Sequence, residues 1–173
     1  MFLRPAEIIQ HLKDKKYILS EMKGADFGCG GGYFTVLLSQ AVGPSGKIYA
    51  IDINEETIKE AQEFADHFGI KNIKFLVKNL ENNTGLDNNS LDFVFISQVL
   101  YQSDQPNNII KEAYRILKNN GFLIILEPSK NNRLFLNQKV YDLNELEEFL
   151  QNNNFKIIET EKSNDYYLII GQK

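Results

Sequence analysis

Two features of the chain could do chemistry together. The first is a glycine cluster, Asp26-Phe27-Gly28-Cys29-Gly30-Gly31-Gly32, with glycines at 28, 30 and 32 in the pattern D-x-G-x-G-x-G. Glycines there let the chain turn sharply and let a ligand approach bare backbone. The dinucleotide pattern G-x-G-x-x-G would place its third glycine at 33, where Tyr33 stands. The second feature is Asp52, about 20 residues downstream, the spacing at which a strand-end carboxylate meets ribose hydroxyls. A carboxylate suits the vicinal 2′- and 3′-OH donors of an adenosine and repels a 2′-phosphate. Its plain alternative is a solvated acid at a strand end.

The elements that must position these groups alternate between strand and helix from about residue 24, the pattern of a parallel sheet with helices on both faces. Ala25–Phe27 reads as a strand running into the glycines, and Tyr33–Ala41 as the helix after them. Lys47–Ile51 reads as the second strand, ending at Asp52. Asn54 is a helix cap followed by Glu55 and Glu56, and Ile58, Ala61, Phe64, Ala65 and Phe68 form an apolar stripe that Gly69 closes. Ile73–Val77 and Leu91–Ile96 are the next strands. Pro106 opens a helix with Ile109, Ile110, Ala113, Ile116 and Leu117 facing inward, Asn119-Asn120-Gly121 ends it, and Phe122–Leu126 is a strand suited to burial on both faces. Asp142 and Glu145 form a D-x-x-E capping box. Phe155–Thr160 and Tyr166–Ile170 read as a terminal hairpin.

Composition narrows the classes. A chain of 173 residues, 43% hydrophobic and 24% charged, fits one globular domain. A net charge of −4 makes nucleic acid a poor partner. Cys29 is the single cysteine, so neither an intramolecular disulfide nor a cysteine zinc site can form, and His11 and His67 lack metal-ligand spacing. Met1 to Gln10 carries Arg4, Pro5 and Glu7, unlike a signal peptide, and no apolar run approaches the roughly 18 residues of a membrane span. A cytoplasmic location is the expectation.

Ala25–Thr35 resembles motif I of the class I methyltransferases, and Ile48–Ile53 resembles their motif II. Leu76-Val77-Lys78-Asn79-Leu80 is similar to motif III, Leu91–Tyr101 to motif IV, and Leu117-Lys118-Asn119-Asn120-Gly121 with Phe122–Pro128 to the L-K-P-G-G strand-five motif. The ordered set, within residues 24 to 128, is more specific than any piece. Within the class the chain looks most like the small-molecule branch typified by ubiquinone and menaquinone biosynthesis methyltransferases. The resemblance implies a Rossmann-like α/β fold with a seven-stranded, mostly parallel sheet in the order 3-2-1-4-5-7-6, strand seven antiparallel. It implies one domain over 1–173: a helical lid over 1–23, a cofactor-binding core over 24–128, and a helix and terminal hairpin over 129–173.

The implied cofactor is S-adenosylmethionine, leaving as S-adenosylhomocysteine. Gly28, Gly30 and Gly32 would line its methionine end, with Asp26 near the amino group. Asp52 would bind the ribose, Ile53 would pack on the adenine, and Asn79 with the Leu80 backbone would read the adenine edge. The Ser97 carbonyl would accept from the ammonium. Asn79 departs from the commoner Asp, but its amide oxygen can still accept from the adenine amine.

Methyl transfer from a sulfonium is an in-line displacement at an activated carbon, so the protein mainly supplies alignment, and a base only where the acceptor has a proton to lose. Acceptor-side residues belong at the C-terminal ends of strands four and five. That nominates Gln98, Tyr101, Gln102, Glu127 and Lys130–Phe135 with Arg133. Against this, Tyr101 could simply cover the cofactor, Glu127 could cap a helix, and Lys130 and Arg133 could be solvated. Tyr33 could face the sulfonium as a cation–π partner or be a packed tyrosine. Arg4, His11 and Tyr17 are further acceptor contacts the N-terminal segment could offer.

Absences shape the acceptor. Ile96-Ser97-Gln98-Val99 lacks the Asn/Asp-Pro-Pro-aromatic signature of nucleic-acid amino methyltransferases. No cysteine stands near motif IV for pyrimidine activation, or in the number arsenic methylation needs. Ser97 occupies the place of the Asp ligand of metal-dependent catechol enzymes, so no metal is expected. No Lys-Asp-Lys-Glu set for ribose methylation is evident. A small organic acceptor remains. Two other readings stay open: a non-catalytic or partner-dependent cofactor-binding protein of the same fold, and an NAD-dependent oxidoreductase, against which Tyr33 and the lack of a Tyr-x-x-x-Lys pair both count.

Overall fold

The computed structural model describes residues 4–173; Met1 to Leu3, the start of the expected lid, lie outside the described residues. Strands β1 (Lys23–Phe27), β2 (Lys47–Asp52), β3 (Ile73–Val77), β4 (Leu91–Ser97), β5 (Leu117–Pro128), β6 (Lys156–Lys162) and β7 (Tyr166–Gln172) form one sheet. Its order is 3-2-1-4-5-7-6, as expected. Strands β1 to β5 pair in parallel, whereas β7 runs antiparallel to both β5 and β6.

The central strands are apolar on both sides because helices cover both faces. Val94 and Ile96 of β4, with Leu123 and Ile125 of β5, join the core under α4 (Pro106–Ile116) and α5 (Leu143–Asn152). Phe93, Phe95, Ile124 and Leu126 point the other way, into the core under α1 (Pro5–Asp14) and α2 (Tyr33–Val42). A third cluster, Ala50 with Ile58 and Cys29, seats α3 (Glu55–His67) beside the glycine loop. Phe27, Phe93 and Phe95 are fully buried, each contributing roughly 1.5–3 kcal/mol relative to exposure.

The expected caps form. Asn54 Oδ1 accepts from Glu56 N at 2.8 Å and Thr57 N at 3.3 Å. The Asp142–Glu145 capping box closes in both directions, at 2.9 and 2.7 Å.

Three local expectations change. Asn119–Gly121 does not end α4: the helix stops at Ile116 and Leu117 is already extended. The three residues bend the leading part of β5 instead, with Asn120 at φ +65°. A Cβ on Gly121 would meet the Lys118 and Asp92 carbonyls at 2.9 and 3.1 Å. The α3 stripe is narrower than read, because α3 ends at His67 and leaves Phe68 beyond it, 52% exposed. Within the expected helical lid over 1–23, Tyr17–Met22 is a run of turns rather than helix, with Glu21 at φ +68°.

Helix α1 buries Ile8, Ile9 and Leu12 in the α1–α2 core. Its His11 Nε2 pairs with Glu159 Oε1 at 2.6 Å, and the Tyr17 hydroxyl donates to Glu159 Oε2 at 2.7 Å. Both side chains tie the N-terminal segment to β6, and Arg4 pairs with Glu7 at 2.8 Å. None of the three lines the large cavity described below.

Candidate functional site

Strand order reverses between β1 and β4, so their C-terminal ends diverge into a crevice, the place where open α/β sheets bind ligands. The glycine loop forms one lip. Gly28 N and Cys29 N donate to the Ile51 carbonyl at 2.8 and 3.0 Å, tying the loop to the end of β2. Gly28, Gly30 and Gly32 all take positive φ, at +72°, +50° and +82°. A Cβ at Gly28 would lie 2.2 Å from Val99, which follows β4, whereas one at Gly30 or Gly31 would meet nothing within 4 Å. The loop is therefore tight underneath and open above. Gly32 has no side chain to cap α2, so the first-turn N–H groups of that helix stay available at the loop.

Asp52 closes the same lip. Its Oδ2 accepts from Gly30 N at 3.1 Å and its Oδ1 from Asn54 N at 3.0 Å, which holds the carboxylate at the tip of β2. Ile53 beside it is 66% exposed, an uncovered apolar face. Leu80 is buried in the loop after β3. Asn79 Oδ1 already accepts from Glu81 N at 2.9 Å, so one lone pair of that oxygen is occupied by a turn. Asp26 is sealed under the loop, where its Oδ2 accepts from the Thr35 hydroxyl at 2.5 Å. Burial pushes its pKa up to about 7, with the negative charge of Asp52 adding to the shift and the Thr35 hydrogen bond opposing it. Bare backbone, a positioned carboxylate and an uncovered apolar side chain at one lip fit a nucleoside with a polar tail, the shape of S-adenosylmethionine. Among the described residues, no group of three or more His, Cys, Asp or Glu side chains could hold a metal ion.

The other lip opens into a cavity of about 720 Å³. Gln98 from the end of β4, Leu126, Glu127 and Pro128 from β5, and the Asn131–Phe135 segment line it. The β6–β7 turn, Asn164 to Tyr166, completes the wall. Gln98, Glu127 and Arg133, three of the acceptor-side candidates, lie together on this wall. Gln102 supports this lip from behind, its Nε2 donating to the Gln98 carbonyl at 2.6 Å. Tyr101 touches the wall through the Phe135 ring, edge-on at 5.4 Å. Lys130 turns aside to Asp142 and Glu145 at 3.2 and 3.4 Å. Tyr33 stands apart, its ring stacked on Phe64 of α3 at 6.2 Å.

Glu127 does more than line the wall. It is almost completely buried and accepts from the backbone N–H groups of Val99, Leu100 and Tyr101 at 2.8, 2.9 and 3.3 Å. It thereby caps the short 3₁₀ turn Leu100–Gln102 that follows Ser97 and Gln98. Gln98 enters that turn at φ +58°. Burial pushes the Glu127 carboxyl up to about 7 despite the three donors.

The cavity residues that residue types alone did not nominate are Leu126, Pro128 and the Asn164–Tyr166 turn. Topology contained the signal. Because β7 runs antiparallel to β5 and pairs Tyr166 with Pro128, the β6–β7 turn must lie at the C-terminal end of β5.

A family model described as a methyltransferase domain matches residues 18–171. The chain belongs to that family. Among curated proteins, this methyltransferase domain is similar to the demethylmenaquinone methyltransferase of Geobacillus stearothermophilus, 31% identical over 127 residues, 70% of this chain and 54% of the relative. The chain spans about half the length of the curated relatives it matches. Among solved structures, a SAM-dependent methyltransferase from Aquifex aeolicus superposes with a TM-score of 0.83 at 24% identity, covering 99% of each chain. The cyclase SpnF reaches the same TM-score at 16% identity, covering 97% of this chain and 81% of its own. Such likeness establishes the fold of the methyltransferase domain, and the cyclase illustrates that the fold alone does not choose the reaction.

Proposed function

We propose that this methyltransferase domain transfers a methyl group from S-adenosylmethionine to a small, flat, largely apolar acceptor of the quinol type. The observation that carries this reading is the adjacency of the two lips. An open glycine loop with a fixed carboxylate faces the crevice at the ends of β1 and β2, and a cavity of about 720 Å³ opens at the ends of β4 and β5. In this reading Gly28, Gly30 and Gly32 face the methionine end, Asp26 and the Ser97 carbonyl serve its ammonium, Asp52 holds the ribose, and Ile53, Asn79 and Leu80 bound the adenine. The bound sulfonium supplies the activated methyl; the chain's own work is alignment and exclusion of water. Leu126, Pro128, Phe135 and Tyr166 form apolar walls, while Gln98 and the asparagines offer polar groups to a ring hydroxyl. The demethylmenaquinone methyltransferase relatives support a quinol over other small acceptors. Residues 24–128 serve the cofactor, and 129–173 complete the acceptor wall.

The test is thermal unfolding with S-adenosylmethionine, S-adenosylhomocysteine, NAD and NADP in parallel, followed by transfer of labelled methyl to a reduced naphthoquinone. A ligand at about 100 times its Kd adds roughly 2.7 kcal/mol. Stabilisation by the two adenosyl-sulfur ligands alone, with label entering the quinol, is the expected result. Stabilisation by NAD alone would replace this reading with the oxidoreductase. Cofactor binding without transfer to any of a panel of small acceptors would favour the non-catalytic reading.

A further inference from the structure

The segment between β5 and α5 presents its apolar residues to solvent. Leu134 is 74% exposed and Leu136 66% exposed, with half-buried Phe135 between them. Three consecutive large apolar residues at a surface violate the patterning of a solvated loop. The segment is firmly built nonetheless. Asn132 Oδ1 accepts from Leu134 N at 3.0 Å, Asn132 Nδ2 donates to the Asp165 carbonyl at 2.9 Å, and the Ser129 hydroxyl donates to the Asn164 carbonyl. Its leucines are held outward by an anchored 3₁₀ turn, Arg133–Phe135, whose residues also line the cavity.

Charge indicates what covers these leucines. The chain is net negative, yet residues 129 to 141 contain Lys130, Arg133 and Lys139 and no acid. Lys130 is paired with Asp142 and Glu145, while Arg133 and Lys139 form no ion pair among the described residues. Ile53 and Phe68, by contrast, sit among acids: Ile53 beside Asp52, Glu55 and Glu56, and Phe68 at the end of a helix bearing Glu60, Glu63 and Asp66. Leu19 and Val77 lie near lysines but are single exposed side chains. Among the described residues, the 130–140 segment joins two closely spaced exposed leucines to cations that form no ion pair, the combination that suits the interface of an anionic bilayer.

We propose that residues 130–140 dock the protein reversibly on an anionic lipid surface, with Leu134 and Leu136 entering the headgroup region and Arg133 and Lys139 on lipid phosphates. The cavity mouth then faces the bilayer, so an acceptor dissolved there can enter directly; this last step alone rests on the cavity's being the acceptor site.

Flotation of the whole chain with vesicles tests the docking without any methyl transfer. Vesicles of phosphatidylcholine mixed with phosphatidylglycerol should bind at least about tenfold more tightly than phosphatidylcholine alone, with affinity falling as salt rises. The L134Q/L136Q pair should weaken binding about tenfold or more, R133Q/K139Q about tenfold, and F68Q not at all. Melting of each variant with and without S-adenosylhomocysteine reports whether it is folded and keeps its cofactor crevice, which separates a failure of docking from a failure of the functional reading. Equal binding to both vesicle types, no binding to either, or binding untouched by the leucine pair would overturn the proposal. So would a concentration-dependent dimer that the leucine pair dissolves, since a second copy would then be the occupant.

Discussion

On the β1–β2 side of the crevice, the groups at the glycine loop come from residues 26 to 53 and act largely through backbone. On the β4–β5 side, the wall is drawn from residue 98, from 126 to 135 and from 164 to 166, and acts through side chains. Each side also holds one buried carboxyl whose pKa is pushed up to about 7, Asp26 on the first and Glu127 on the second. One ligand is easier to name than the other for a physical reason. A loop that offers bare backbone needs glycines at fixed spacing and advertises itself locally. A wall assembled from three distant segments uses Gln, Asn, Leu and Arg, residues that occur anywhere.

The largest effect is expected where the two sides touch. Gly28 holds φ +72°, and a Cβ there would lie 2.2 Å from Val99 Cγ2. Gly28→Ala combines left-handed strain with overpacking, a cost of about 3 kcal/mol. The melting temperature should fall by about 10 °C, and stabilisation by S-adenosylhomocysteine should disappear. Gly30→Ala carries the strain without the clash, because its Cβ would meet nothing. It should lower the melting point much less while still weakening the cofactor. Equal melting points for the two variants would mean that Val99 moves freely and that the sides are not coupled through it.

A smaller effect separates the two buried carboxyls. Both have folded-state pKa values raised above their ordinary ones, from 3.8 and 4.5 to about 7. Their stabilising contribution is complete below the ordinary values and is lost as pH rises through about 7. Denaturation between pH 5 and 8 should show stability falling across that window, and Glu127→Gln should remove about half of the fall, on the order of 2 kcal/mol. Cofactor binding should tell the pair apart. If the methionine ammonium pairs with ionised Asp26, S-adenosylhomocysteine should bind about tenfold more tightly at pH 8 than at pH 6. Asp26→Asn should flatten that profile and Glu127→Gln should leave its slope. Titration calorimetry at the two pH values decides it; a profile unchanged by Asp26→Asn would place the ammonium elsewhere.

The fold is legible wherever local chemistry and periodicity agree, as in the Asn54 and Asp142 caps and the double-faced run Phe122–Leu126; the strand order is implied only by the resemblance to the class I methyltransferases. Tertiary partners account for what is not. Asn119-Asn120-Gly121 has the composition of a helix stop, yet α4 ends three residues earlier and Gly121 is required by the Lys118 and Asp92 carbonyls. His11 and Tyr17 look like acceptor contacts in isolation, but their shared partner, Glu159, lies about 150 residues away in a strand readable only as one arm of a hairpin. By residue type alone Glu127 fits either a ligand contact or a cap. Its three backbone donors belong to a turn after another strand, so sequence spacing could not connect them.

Tyr33 offers the mildest change and the finest test. It follows the glycines directly, a position that suits the sulfonium, yet the residue is 57% exposed and its ring stacks on Phe64 at 6.2 Å. A cation held over the ring by bound cofactor would have to compete with that partner, and such an interaction is worth about 0.5–1 kcal/mol at an exposed site. An aromatic pair on a half-open surface contributes a similar amount to stability. Tyr33→Leu keeps an apolar side chain in place and removes the π face together with the hydroxyl. If the ring belongs to the surface of α2 and α3, the variant should lose about 0.5 kcal/mol of stability and bind S-adenosylmethionine and S-adenosylhomocysteine as tightly as the unaltered chain. The charged and neutral ligands differ only at the sulfonium, so their affinity ratio isolates the cation. A ratio that shifts against S-adenosylmethionine by more than about threefold would return Tyr33 to the cofactor side and show that a side chain takes part where backbone is expected to suffice.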